Sequence, residues 1–240
     1  MSERYAVDPA TTAFLVVDMT NDFLEPGVPQ ECAPGREMVP RLAELAAACR
    51  AVGIPVIYTS HMHRADGSDI GRMAERFTHL VDEQRRPITL VAGTRGVEVI
   101  DELAPVGDEI VIRKSRYSSF FNTDLETVLR HHNITTLIIA GVATNVCCES
   151  TARDAMFRDY KVIFLSDGNA TMDLPDLGFG PVSHEEVQRV VLTTLAAAFC
   201  DVATTAEVLE RIRRSTQVAT ERHEDTDRGV SASGLAAAPA

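Results

Sequence analysis

Cys147, Asp18 and Lys114 are the residues whose types and positions could support nucleophilic catalysis. Cys147 comes where an apolar run, TLIIAG at 136–141, gives way to a predicted helix. The positive end of a helix dipole lowers the pKa of a thiol, and free backbone N–H groups there can bind an oxyanion. The position therefore predicts a reactive thiol, and the alternative is that Cys147 is a small apolar filler of the core.

Asp18 and Lys114 each follow another apolar run that is typical of a buried strand. Asp18 comes directly after AFLVV at 13–17, and Lys114 comes directly after EIVIR at 109–113. A partly buried carboxylate can accept a thiol proton, and an ammonium group favours the thiolate and the negative charge of an intermediate. Taken singly, Asp18 could be a turn cap and Lys114 a surface charge. Their shared placement at strand ends favours a catalytic site with Cys147.

The fold that would bring these residues together is an open parallel sheet, which binds ligands at the carboxyl ends of its strands. The apolar runs that predict strands lie at 13–17, 54–59, 109–112, 135–140, 162–165 and, more weakly, 199–204. Helical spacing of apolar residues fills the intervals between them. This alternation predicts an α/β fold, a three-layer doubly wound and mainly parallel six-stranded sheet with helices on both faces.

Three helix starts are predicted from the spacing of a capping box, in which a hydroxyl residue precedes a glutamate by three positions. The pairs are Thr123 with Glu126, Ser183 with Glu186, and Thr204 with Glu207. Residues 60–108 form a long excursion between the second and third strands, and such excursions often carry lids or binding loops.

Composition narrows the class of protein. The 240 residues carry a formal net charge of -12, which argues against nucleic acid or an anionic membrane as a partner. No apolar stretch is long enough to span a bilayer, and five cysteines without a disulfide pattern favour a cytoplasmic location. We expect one domain over residues 1–212. The polar and then Ala/Gly/Ser/Pro-rich residues 213–240 predict a disordered tail, with a docking peptide as the alternative.

Three motifs, found in order, resemble those of one enzyme family. They are VVDMTNDF at 16–23, KSRYSSFFNTDL at 114–125 and GVATNVCCESTARDA at 141–155. With the order of strands and helices, they make the chain similar to the isochorismatase-like cysteine hydrolase family, and most similar to its ureidoacrylate amidohydrolase type. The resemblance extends over about residues 10–212 and leaves the C-terminal segment uncovered.

The resemblance implies a role for each residue that matches a family motif. Asp18 corresponds to the family's acid, Lys114 to its lysine and Cys147 to its nucleophile. GVAT resembles the segment with a non-proline cis peptide, which would fall between Val142 and Ala143. That bond would turn the Ala143 N–H toward the same point as the Cys147 N–H and so form an oxyanion hole.

Other positions resemble the family's pocket or depart from its pattern. Phe23 and Tyr117 resemble residues that line the pocket. Thr20 stands where many relatives carry Gln, and Cys148 replaces the usual Val. Neither departure touches the three catalytic candidates, and we expect Cys148 to have a packing role.

His61 and His63 follow the second predicted strand, where nicotinamidase relatives place metal ligands. Asp69 or His79 could supply a third ligand, but a His-x-His pair without a firm third partner is weak evidence for a metal. We expect the two histidines to bind substrate through hydrogen bonds, and we expect no metal and no cofactor. Surface histidines are the remaining alternative.

The function implied is that of a cysteine-dependent amidohydrolase. It would cleave the C–N bond of a small linear amide, a ureido or carbamoyl compound, through a thioester and release ammonia or an amine. The alternatives are a vinyl-ether hydrolase acting on an isochorismate-like acid, and a non-enzymatic thiol sensor or scaffold. The expected partner is the small-molecule substrate, and the resemblance implies a homo-oligomer, either a dimer or a tetramer.

Overall fold

Six parallel strands form a single sheet in the computed structural model, which describes residues 5–217. The strands are β1 Thr12–Val17, β2 Val56–His61, β3 Val111–Lys114, β4 Thr136–Val142, β5 Lys161–Ala170 and β6 Asp201–Ala203. Their order across the sheet is β3-β2-β1-β4-β5-β6, and every neighbouring pair is parallel. The predicted doubly wound fold is confirmed, and each predicted strand is present.

Helices cover both faces of this sheet. They are α1 Asn21–Leu24, α2 Ala33–Ala51, α3 Met73–Arg76, α4 Leu125–His131, α5 Glu149–Met156, α6 His184–Ala198 and α7 at residues 205–217. Apolar residues of α2 and α7 pack on one face, and those of α4, α5 and α6 pack on the other. Within residues 5–217, none of the helices has both the length and the apolar character needed to traverse a lipid bilayer.

The strand β1 shows why uninterrupted apolar runs form the centre of this sheet. All six of its residues are buried, and Phe14 and Val16 face the α2 side while Leu15 and Val17 face the opposite side. A parallel sheet covered on both faces offers no exposed side to a strand, so each residue must be suited to burial. Each large side chain buried here contributes about 2 kcal/mol through the hydrophobic effect.

The capping boxes have mixed outcomes. The box of Ser183 and Glu186 is present at the start of α6, and Thr204 and Glu207 exchange the same two hydrogen bonds before α7. The prediction for Thr123 is wrong, because its hydroxyl oxygen accepts from the Leu125 N–H rather than from that of Glu126, and its proton is donated to the Ser119 carbonyl. Helix α4 begins at Leu125, without a side-chain cap.

The domain extends beyond the predicted boundary at residue 212. Helix α7 continues to residue 217, so the first five residues of the predicted tail are helical. Val208, Leu209 and Ile212 of α7 are buried in the core, and Arg211 forms an ion pair with Asp201 at the start of β6. These contacts anchor α7 to the sheet. Residues 218–240, the rest of the predicted tail, lie outside the described residues.

Gly141 allows β4 to pass close to β1 beside the candidate site. Its φ is 137°, a conformation that residues with a side chain rarely adopt. A Cβ atom at this position would lie 1.9 Å from the carbonyl oxygen of Val17. Only glycine therefore fits where the ends of the two central strands converge.

Candidate active site

The Asp18 carboxylate lies at the end of β1 and is completely buried. Its backbone has a φ of 52°, a left-handed conformation that is uncommon for residues other than glycine and tends to occur at functional sites. Thr59 Oγ1, at the neighbouring position on β2, donates to Asp18 Oδ1 over 2.9 Å. The hydrogen bond fixes one carboxylate oxygen and leaves Oδ2 to face the other catalytic candidates.

Lys114 supplies a buried positive charge between the acid and the thiol. Its Nζ lies 2.7 Å from Asp18 Oδ2, and it donates to Cys147 Sγ over 3.2 Å and to the Arg116 carbonyl over 3.1 Å. Burial alone would lower the pKa of the ammonium group, but the Asp18 carboxylate and the Cys147 sulfur outweigh burial and raise it. Lys114 therefore carries its charge at neutral pH.

The strand order separates Lys114 from Asp18 by one strand. Strand β2 lies between β1, which ends before Asp18, and β3, which carries Lys114. Lys114 is also the last residue of β3, and His61 the last of β2, so neither lies beyond its strand. The lysine reaches Asp18 across one strand because its side chain is long enough to extend over the carboxyl end of β2.

Cys147 lies in a π-helical turn, Thr144–Cys148, that connects β4 to α5. A carboxylate oxygen of Asp18 and the Sγ atom of Cys147 lie within 4.8 Å of each other. The Thr151 hydroxyl donates to the Cys147 carbonyl over 2.7 Å, which ties the turn to α5. The structure thus brings the acid, the ammonium and the sulfur predicted from sequence into one buried cluster. Cys148 is fully buried in the same core, in agreement with a packing role.

The predicted lowering of the Cys147 pKa is wrong. Burial raises the pKa of this thiol to about 12, although the Lys114 charge acts in the opposite direction. Cys147 is only 4% exposed, and removing a thiolate from water outweighs the favourable ammonium nearby. The resting thiol is therefore neutral, and it must lose its proton as it attacks.

This protonation state predicts slow alkylation. At pH 8 we expect Cys147 to react with iodoacetamide at least about tenfold more slowly than free cysteine, whose pKa is about 8.5. The rate should keep increasing with pH above pH 8, because burial raises the pKa of the thiol, and it should be higher in Asp18→Asn because the carboxylate disfavours the thiolate. Mass spectrometry of the peptide that contains Cys147 measures the rate. A wild-type rate above that of free cysteine would contradict this picture.

The backbone before Cys147 has the cis peptide bond that the family resemblance implies beside an oxyanion hole. The peptide bond between Val142 and Ala143 is cis, at the position implied by the family resemblance. The Ala143 carbonyl accepts hydrogen bonds from the N–H groups of Val146 and Cys148, the residues on either side of Cys147. Ala143 and Cys147 both line the same cavity, so their backbone amides are candidates for binding a substrate oxygen.

A cavity of about 280 Å³ opens above the Cys147 sulfur. Phe23, Tyr117, His61 and His63, the predicted pocket residues, all line it. Other parts of its wall come from residues 70–90 of the excursion between β2 and β3, as expected for a binding loop. The structure therefore gathers the predicted pocket residues around the candidate nucleophile.

The two histidines form a neutral pair at one side of this cavity. Their Nε2 atoms lie 3.3 Å apart, and His63 Nδ1 lies 3.5 Å from Asp69 Oδ1. Burial, assisted by the Lys114 charge, lowers the pKa of His61 well below its usual value. Burial also lowers the pKa of His63, with Asp69 opposing it. Two uncharged imidazoles can donate and accept hydrogen bonds to a substrate.

A divalent metal fits this cluster poorly. Possible ligand atoms of Asp18, His61 and Cys147 lie within 4.8 Å of one another. However, the Lys114 ammonium lies 2.7 Å from the Asp18 carboxylate and 3.2 Å from the Cys147 sulfur, so it already occupies the place between these two groups that a metal ion would take. A metal ion would have to displace it against charge repulsion.

Three polar residues of the site were missed by the sequence analysis. Thr59 ends the run IPVIYT and could have been found from the pairing of β1 with β2. Gln30 and Thr89 both line the cavity, but they lie in loops where no periodic pattern singles them out. Their place in the site follows from the folded position of these loops above Cys147, which the sequence does not show.

Comparison with known proteins agrees with this architecture. The isochorismatase domain model matches residues 12–207. The chain is 36% identical over 178 residues to the ureidoacrylate amidohydrolase RutB of Methylobacterium radiotolerans, covering 69% of each protein. A crystal structure of a cysteine hydrolase from Pseudomonas syringae pv. phaseolicola shares 45% identity and a TM-score of 0.84, with 90% of this chain and 100% of that chain covered.

A second solved structure, of N-carbamoylsarcosine amidase from Thermoplasma acidophilum, is 26% identical with a TM-score of 0.63. The match covers 81% of this chain and 96% of that one. The family model spans all six strands and all three catalytic candidates. The chain therefore belongs to the isochorismatase family.

Proposed function

We propose that this protein is a cysteine amidohydrolase that cleaves the C–N bond of a small ureido or carbamoyl compound. The observation that carries the proposal is the buried contact of Lys114 with both Asp18 and Cys147, directly below a cavity. The relatives support the enzyme class, a hydrolase of C–N bonds in linear amides, because two of them are named for that activity.

The first half of the reaction uses the neutral Cys147 thiol and the Asp18 carboxylate. Asp18 accepts the thiol proton while the sulfur attacks the carbonyl carbon of the amide. The backbone amides of Ala143 and Cys147 bind the oxyanion, and Lys114 balances the negative charge that forms beside it. Protonated Asp18 then passes the proton to the leaving nitrogen, and ammonia or an amine departs.

The second half regenerates the thiol. Asp18 removes a proton from water, the resulting hydroxide attacks the thioester, and the proton returns to the sulfur. An amide substrate yields a carboxylic acid, whereas a ureide yields a carbamate that loses carbon dioxide and becomes an amine. The chain's own residues supply the base, the nucleophile and the positive charge in both halves.

The homo-oligomer implied by the family resemblance, a dimer or a tetramer, stays a prediction.

The experiment that tests this proposal is an ammonia-release screen of the purified protein. The substrates are ureides, biuret-like compounds, nicotinamide and simple primary amides, and isochorismate is assayed in parallel for pyruvate. We expect ammonia from at least one ureido or carbamoyl compound, and no pyruvate. Pyruvate without ammonia would instead identify vinyl-ether hydrolysis and refute the proposed function.

A further inference from the structure

The cavity above Cys147 has walls that are mostly apolar. Its carbon-rich lining includes the side chains of Ile70, Met73, Phe77, Leu80, Met172 and Leu174. Four of these six side chains come from loops outside the sheet, whereas Met73 belongs to the short helix α3 and Leu80 to the 3-10 turn at 78–80. None of them belongs to the catalytic cluster. A volume of about 280 Å³ admits only a small ligand, so most of such a ligand would touch carbon.

The lining is also uncharged. Within residues 5–217, no lysine, arginine, aspartate or glutamate belongs to it. His61 and His63 are neutral at pH 7, because burial lowers the pKa of each. The nearby Lys114 ammonium is engaged by Asp18. The Arg116 guanidinium donates to backbone carbonyls, at 2.9 Å from that of Asp69.

Nearby arginines act electrostatically on this lining, Arg76 on Tyr117 and Arg116 on the two histidines, but neither of these arginines belongs to it. A carboxylate in the non-reacting part of a substrate would therefore enter a buried apolar space whose lining, among the described residues, offers it no ion-pair partner. Burying an unpaired anion is strongly unfavourable, whereas burying a hydrocarbon group is favourable. The charge distribution of the cavity thus discriminates against anionic substrates.

Two polar atoms in the lining are free to bind a neutral polar group. Gln30 Nε2 and Thr89 Oγ1 are buried and have no hydrogen-bond partner among the described residues. Thr89 as a whole is 7% exposed. An amide nitrogen and a hydroxyl complement the carbonyl and N–H groups of a urea or amide, and a buried polar group without a partner is costly. A substrate that satisfies them gains affinity from both bonds.

We propose that the substrate is an uncharged ureide or amide whose non-reacting part is apolar. This inference rests on the proposed function and adds the substrate class. It separates the chain from its ureidoacrylate amidohydrolase relatives, whose named substrate is an acid. Gln30 and Thr89 bind the neutral polar group, and the loop residues pack around the hydrocarbon.

The first test compares butylurea, which is neutral, with 3-ureidopropanoate, which has a similar length and carries a carboxylate. We expect kcat/KM for ammonia release to be at least about tenfold higher for butylurea, because only the anion must be buried without a partner. An equal or higher kcat/KM for 3-ureidopropanoate would overturn the inference and leave the amidohydrolase function intact.

A matched pair of variants tests whether the missing charge is the cause. Leu174 lines the cavity at its outer edge and is 38% exposed, so a longer polar side chain can be accommodated there. Leu174→Arg should shift the ratio of the two kcat/KM values toward 3-ureidopropanoate by at least about tenfold, whereas Leu174→Gln should not. The same shift in both variants would show that charge does not set the preference.

Binding to Cys147→Ala separates this inference from the proposed function. Isothermal titration calorimetry with the same two compounds requires no turnover. Tighter binding of butylurea supports the inference even if ammonia release fails, in which case only the proposed function falls. Tighter binding of 3-ureidopropanoate, or measurable binding of neither compound, would overturn the inference.

Discussion

Replacement of Cys147 by serine is expected to reduce kcat for ammonia release by at least about 10³-fold on any substrate found by screening. The serine hydroxyl has a much higher pKa than a thiol and is a poorer nucleophile. Cys147→Ala should lose the activity to the same extent, because it removes the attacking atom. Steady-state kinetics of both variants, with folding verified by circular dichroism, measures the effect.

The adjacent thiol provides the matched control. Cys148 is fully buried in the core. In the described part of the chain, the Lys114 ammonium donates to the Cys147 sulfur, and Cys148 forms no hydrogen bond with Lys114 or Asp18. Cys148→Ala should therefore retain kcat within a few-fold of wild type. Wild-type ammonia release by Cys147→Ser and Cys147→Ala would show that the sulfur is not the nucleophile, and the proposed mechanism would be wrong.

The second large effect is expected from Lys114→Met, on stability as well as on activity. The substitution leaves the Asp18 carboxylate buried without its ion-pair partner, and breaking such a pair costs about 3–5 kcal/mol. We expect the free energy of unfolding, measured by urea denaturation at pH 7, to fall by that amount. Activity should be lost because no positive charge remains beside the sulfur.

The double variant Asp18→Asn/Lys114→Met distinguishes an unpaired charge from poor packing. With both charges removed, we expect most of the lost unfolding free energy to return, because a neutral amide tolerates burial better than a carboxylate. Lys161→Met, which removes an exposed lysine at the start of β5, should change stability by less than about 0.5 kcal/mol. A double variant as unstable as Lys114→Met would contradict the electrostatic explanation.

The sheet could be predicted from sequence because its strands are buried on both faces. Residues 13–17 and 135–140 are continuous apolar runs of the length of a strand, and the structure places β1 and β4 over them within two residues. The position of Asp18 follows directly, since it is the first residue after β1. Patterns of this kind involve only residues that are close in the chain, so they can be identified from the sequence alone.

The order of strands could not be predicted in the same way. The run EIVIR predicts a strand, but it does not indicate whether that strand pairs with β2, as it does at the edge of the sheet, or with β1. The prediction that Lys114 lies near Asp18 did not require this order, because it rested on the placement of both residues at the carboxyl ends of strands and on the family resemblance. The structure places Lys114 Nζ 2.7 Å from Asp18 Oδ2.

The protonation of Cys147 was predicted in the wrong direction because burial is a property of the whole fold. The sequence shows a thiol near the beginning of a helix, which would lower its pKa, but the loops that cover it are distant in the chain. Once Tyr117, Val146 and the loop at 70–90 enclose the sulfur, the cost of burying a thiolate outweighs the favourable Lys114 charge and raises the pKa of Cys147. The same reason explains why Gln30 and Thr89 were missed.

The position of β3 at the edge of the sheet gives the catalytic lysine a weaker anchor than its two partners have. Asp18 and the turn that carries Cys147 follow the central strands β1 and β4, whereas Lys114 is the last residue of a four-residue strand with one neighbour. Edge strands open at a lower free energy than central ones. Fraying of β3 on warming would withdraw the ammonium while most of the molecule stays native, so heat inactivation would precede global melting.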